Sequence, residues 1–153
     1  MSSSFYVIKF NLYSKACGIE TQGKFVITGG HHRPGQELKT VTRYSRTGES
    51  DTLPQLKVGR SGHACGSYLN DKGDEVRFIL NTYHYHSIRV IVIKVLLVTG
   101  GGGNHQRLDS TEVLKEMAAA WRLTASLPSA RWGLRSASVE NSIFLFGENQ
   151  LTN

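Results

Sequence analysis

The chain has 153 residues, 39% of them hydrophobic and 20% charged, with 18 Lys and Arg set against 12 Asp and Glu. This is long enough to bury the core of one domain and too apolar for a disordered segment. The excess of positive charge, +6, is scattered singly, as at Lys24, Arg33 and Lys39, with no basic run and no aromatic-interleaved stripe, so the pattern of a nucleic-acid interface is missing.

The first residues, MSSSFYVIKFNLYSKACG, have neither the charged start nor the long apolar run of a secretory signal. The most hydrophobic window is broken by Arg77, His84, His86, Arg89 and Lys94, leaving no piece near the roughly 20 residues that span a bilayer. A soluble, intracellular and cytoplasmic protein without membrane contact is expected. Two cysteines are too few for a disulfide scaffold, so Cys17 and Cys65 are expected as small buried residues in a reducing compartment.

In chain order, KFVITGG (Lys24 to Gly30) reads as an apolar strand ended by Gly29 and Gly30. LKTVTRY (Leu38 to Tyr44) reads as a second strand, and DTLPQLKVGRSGHA (Asp51 to Ala64) carries Leu-Pro at Pro54 and then Arg60. The same phrases return. VLLVTGG (Val95 to Gly101) matches the first, LDSTEVL (Leu108 to Leu114) the second, and TASLPSARWGLRSA (Thr124 to Ala137) the third, with Pro128 and Arg131 in place. IFLFGEN (Ile143 to Asn149) is a weaker third copy of the opening strand, and Ala-Cys-Gly recurs at 16–18 and 64–66.

The four glycines Gly100 to Gly103 invite a phosphate-loop reading, with Asp109 or Ser110 capping a helix through LKEMAAAW. However, no Lys-Ser or Lys-Thr comes after them, and no third glycine stands at dinucleotide-binding spacing. They are expected to end a strand, as Gly29 and Gly30 do.

Self-similarity at about 50 residues, in short strands, is the pattern of a propeller blade. The sequence VLLVTGG…LDSTEVL…WRLTASLPSAR, Val95 to Arg131, resembles the kelch repeat. The resemblance covers most of residues 16–147 and implies an all-β fold, an incomplete kelch-type β-propeller of antiparallel four-stranded blades. One blade portion is expected at about 15–57, a blade at about 58–128 and the start of another at 131–153. Closing a ring takes about four to eight blades, so further repeats from more chain or another subunit are expected. Trp121 is expected to pack between blades with its indole N–H on a backbone acceptor, and Pro128 to end the outer strand.

One segment breaks the period. Gly29 to Gly100 spans 71 residues but Gly100 to Gly147 only 47, and removing the 19-residue VRFILNTYHYHSIRVIVIK, Val76 to Lys94, restores a period of 52. The segment reads either as a strand-forming insertion at 76–94 or as translated intron.

The resemblance places partner-binding residues on the turns at one face. By position these are His31, His32 and Arg33, then Asn104, His105 and Arg107, and Arg60, Ser61, His63, Arg131 and Trp132. An arginine there would capture a partner carboxylate by two hydrogen bonds, unless Arg60 and Arg131 only bridge neighbouring blades. The implied function is protein–protein interaction, extending to the substrate-recognition part of a ubiquitin-ligase adaptor. The alternative is a fragment of a propeller enzyme such as a carbohydrate oxidase, although no catalytic cluster is legible. No cofactor is expected. Neither His84-Tyr85-His86 nor His31-His32 brings the third ligand that zinc needs, so no metal is expected either.

Overall fold

The computed structural model describes residues 14–21, 23–68, 74–80, 86–90, 95–115, 118–139 and 142–147. Among them all regular structure is β, and no helix is long and apolar enough to cross a membrane. Three four-stranded sheets stand side by side, of a kind that fits propeller blades.

The first sheet is a simple meander of β1 (Cys17–Thr21), β2 (Lys24–Thr28), β3 (Val41–Tyr44) and β4 (Ser50–Thr52), with every pairing antiparallel. The second begins with β5 (Ala64–Tyr68). The chain then leaves it for β6 (Asp74–Leu80) and β7 (His86–Val90) before returning as β8 (Val95–Thr99). A short hairpin comes next, β9 (Gly102–Gly103) with β10 (Gln106–Arg107), and then β11 (Thr111–Lys115) and β12 (Arg122–Thr124) complete the sheet in the order β12-β11-β8-β5. The third sheet joins β13 (Arg135–Val139) and β14 (Ser142–Phe146) to the excursion, in the order β13-β14-β6-β7.

The segment that breaks the sequence period thus forms strands, but they serve the third sheet. β6 pairs with β14 in parallel, Ile143 opposite Phe78 and Leu145 opposite Leu80, and so covers the outer edge of β14, whose N–H and C=O groups would otherwise stand open.

The core lies between sheets. All five residues of β8 are buried, which is why this strand reads as an unbroken apolar run instead of an alternation. Leu96 and Val98 face the first sheet, packing with Ile19, Val26, Val41 and Leu56. Val95 and Leu97 face the third, with Leu134, Ile143 and Leu145. Each such side chain contributes roughly 1.5–3 kcal/mol by leaving water. Trp121, 1% exposed, closes the first seam, and its Nε1–H donates to the Pro54 carbonyl at 2.7 Å. The expected partner is therefore supplied by the loop after the preceding sheet.

The repeat is visible in the backbone itself. Gly29 and Gly30 have φ of 56° and 94°, and Gly100 and Gly101 have 65° and 94°, the left-handed region that glycine enters freely. A Cβ on Gly101 would also lie 2.7 Å from the Ser61 carbonyl oxygen, so the close approach excludes any side chain. Both pairs come directly after the second strand of their sheet, and β9 replaces the helix that a phosphate loop would require.

Two expectations are corrected. β12 ends at Thr124, so Pro128 lies in the connecting loop and does not end the strand. Cys17 and Cys65 are not separate thiols: they form a disulfide, with Cα atoms 6.0 Å apart at a sequence separation of 48. The sequence spacing hid this because contact depends on β1 and β5, the first strands of two sheets, lying side by side. Closing a loop of that length constrains the unfolded chain and contributes about 2–4 kcal/mol. Reduction or Cys65→Ala is accordingly expected to lower the denaturation midpoint, and peptide mapping without reductant to recover residues 17 and 65 cross-linked. Free thiols in the native protein would refute the pairing.

Candidate functional site

In an antiparallel meander the residues before strand one and after strand two emerge at the same end of the sheet. Among the described residues, the turns leading into the first strands of the three sheets and the loops after β2 and β8 therefore gather at one end. They enclose a cleft of about 580 Å³ lined by Lys15, His31, Glu37, Ser61, His105, Arg107, Trp132 and Arg135 with glycines between them. Lys15, Ser61 and Trp132 come from the turns that lead into β1, β5 and β13. His31 and Glu37 belong to the loop after β2, and His105 and Arg107 to the hairpin after β8.

The cleft is cationic, with Lys15, Arg107 and Arg135 facing a single carboxylate, Glu37. Trp132 is 54% exposed, with the Arg107 guanidinium 5.6 Å and the Lys15 ammonium 5.9 Å from its ring centroid. Each contact is worth about 0.5–1 kcal/mol at an exposed site and fixes where the charge sits. His31 is largely buried, and its Nδ1 has no protein partner. Lys15, Asn104 and His105 are the non-glycine residues with positive φ among those described, at 56°, 50° and 60°. All three belong to the turns around this cleft, and such conformations persist where the surroundings enforce them.

The residues nominated from sequence separate into two groups. His31, Ser61, His105, Arg107 and Trp132 line the cleft, and Asn104 stands exposed on its hairpin tip. His32 and Arg33 are exposed but do not line it. Arg60, His63 and Arg131 are 0%, 2% and 8% exposed, so they are struts beneath the cleft and do not form its surface.

Arg60 shows why. Its Nη2 donates to Glu112 Oε1 at 2.7 Å and to Ser110 Oγ, while Nη1 donates to the carbonyls of Gly100 and Ser110. Glu112, also fully buried, accepts from the Lys57 and Val58 amides as well. The pair ties the turn before β5 to the third strand of the same sheet. Arg131 holds the corresponding place one repeat later, with Gly101 N–H on its carbonyl as Gly30 N–H is on that of Arg60.

His63 shares a 2.8 Å hydrogen bond with the Thr28 hydroxyl across the seam through Nε2. Burial, reinforced by the Arg60 charge, pushes its pKa from 6.5 down to about 3. Lys15, Glu37 and Arg135 are cleft residues that the repeat pattern did not mark. Lys15 precedes β1 and Arg135 opens β13, so attention to the start of each first strand, in addition to the turn after Gly-Gly, would have found them. His84 and Tyr85 of the histidine pair lie outside the described residues. No group of three or more metal-binding side chains occurs among the described residues.

No family model matches the chain, and no curated protein matches it in sequence. Among solved structures it is similar to that of YjhT, with a TM-score of 0.62 over 89% of this chain and 38% of that one, at 16% identity. At that identity the likeness is one of fold. The chain spans little more than a third of YjhT.

The struts can be told from the surface by unfolding measurements. Arg60→Ala leaves Glu112 as a buried charge without its counter-ion and is expected to cost about 3–5 kcal/mol. Because His63 is neutral when folded but takes a proton below 6.5 when unfolded, stability is fully present above pH 6.5 and falls toward pH 3. Unfolding free energy is expected to drop by about 2 kcal/mol between pH 6.5 and about 5 on this account. His63→Gln should flatten that slope, and an unchanged slope would show that other groups carry it.

Proposed function

We propose that this chain is part of a kelch-type propeller acting as a protein-interaction module, which docks an acidic segment of a protein partner in the cleft. The observation that carries the reading is Trp132, exposed and flanked by Lys15 and Arg107, at the convergence of turns from three sheets. An aromatic anchor beside arginine is the composition that dominates binding energy at protein interfaces. The surrounding excess of cations selects for carboxylates and speeds encounter with them. Such modules serve in ubiquitin-ligase adaptors as the part that recognises substrate, and that is the assembly role we assign to it.

An array of peptides bearing paired Asp or Glu, with their Asn or Gln counterparts, tests this directly with the labelled chain. Acidic peptides are expected to bind, more weakly as salt rises. Trp132→Ala and Arg107→Ala should each weaken binding by about tenfold or more while leaving the thermal midpoint in place. Equal binding of acid and amide peptides, or binding indifferent to both substitutions, would remove this reading.

A further inference from the structure

The second and third sheets can be superposed by register, and one place in the third is filled by the wrong kind of strand. In the second sheet Thr99 precedes Gly100 and lies opposite Ala64, with Glu112 of β11 opposite Val98. In the third, Phe146 precedes Gly147 and lies opposite Arg135. Leu145 therefore corresponds to Val98, and the residue opposite it is Leu80 of β6. The position that holds a glutamate in one sheet holds a leucine in the other, on a strand running the opposite way.

Arg131 registers the difference. Its backbone repeats that of Arg60 bond for bond, since Arg60 N–H donates to Leu38 and Arg131 N–H to Leu108. Yet Arg60 is paired with Glu112, whereas Arg131, also more than nine-tenths buried, has only Ser129 Oγ on its Nε at 3.1 Å and no carboxylate among the described residues. A guanidinium is stabilised by a carboxylate with two-point geometry, and that of Arg131 lacks one, although none of its nitrogens is both buried and unpartnered as Arg60 Nε is. β6 meets β14 at three paired positions in parallel, where β13 meets it at five in antiparallel register.

We propose that the outer edge of β14 is an acceptor for an antiparallel strand carrying a glutamate opposite Leu145, with Arg131 as its counter-ion. β6 holds that edge as a displaceable substitute. The fitting partner is a strand of the type this chain itself contains in β11, Ser-Thr-Glu-Val-Leu. Its backbone would add to the sheet and its carboxylate would complete the buried pair. This interaction surface is separate from the cleft and does not depend on what the cleft binds.

The probe is the capped peptide of residues 109–116, Asp-Ser-Thr-Glu-Val-Leu-Lys-Glu, titrated into the full chain by calorimetry. The wild-type peptide is expected to bind, and its Glu112→Gln form to bind about tenfold more weakly or not at all. Hydrogen exchange at 74–80 should rise on binding as β6 is released. Arg131→Gln in the chain should abolish the preference for the glutamate peptide. If that variant does not fold, the two peptides on the wild-type chain decide alone. No binding at millimolar peptide, equal binding of both peptides, or unchanged exchange at 74–80 would overturn the proposal.

Discussion

The buried pair of Arg60 and Glu112 is the constraint on which the arrangement of the first two sheets depends. Both side chains are withdrawn from water, and the pair persists because surrounding polar groups are recruited to it, the Lys57 and Val58 amides on the carboxylate and the Gly100 and Ser110 carbonyls on the guanidinium, leaving Arg60 Nε alone without a partner. Apolar side chains of matching shape would serve stability as well. What the pair adds is position. It fixes the loop after the first sheet against the third strand of the second, and with it the turn at Gly29 and Gly30, which hydrogen-bonds to the Arg60 carbonyl.

That fixed loop dictates the neighbouring geometry. The turn into β5 can take only one course, so Ser61 and Gly62 stand at the cleft while His63 points down to Thr28 and stays neutral. The disulfide between Cys17 and Cys65 closes the same seam at the first strands, and Trp121 closes it at the outer end. A seam held at both ends and through its middle lets the turns above it carry left-handed conformations at Lys15, Asn104 and His105.

The same device, copied one repeat on, is incomplete. Trp132 replaces the serine of the earlier turn and becomes the exposed floor of the cleft, and Leu134 replaces His63 and seals the second seam with hydrocarbon. Arg131 keeps the backbone role of Arg60 without the ion pair. Divergence between copies thus falls largely on side chains, while the bonds of the Gly-Gly turns and of the Arg60 and Arg131 backbones are the same in both.

Much of this was legible in the sequence, because strands buried on both faces must be apolar without interruption and turns needing positive φ must be glycine. Those two requirements exposed β8 and the Gly29 and Gly100 turns. β2 and β14, buried at alternate residues, were read by their likeness to β8, and the order of the phrases pointed to the all-β array. Trp121 was readable for a similar reason, a large side chain with one polar atom having few places to go. The sequence could not separate Arg60 from Arg107, since both are arginines beside turns, and only packing sends one under the next strand and leaves the other on Trp132. Nor could it pair Cys17 with Cys65 or send 74–80 to the edge of β14. Those depend on which strands become neighbours in space, and neighbours from different sheets share no local pattern along the chain.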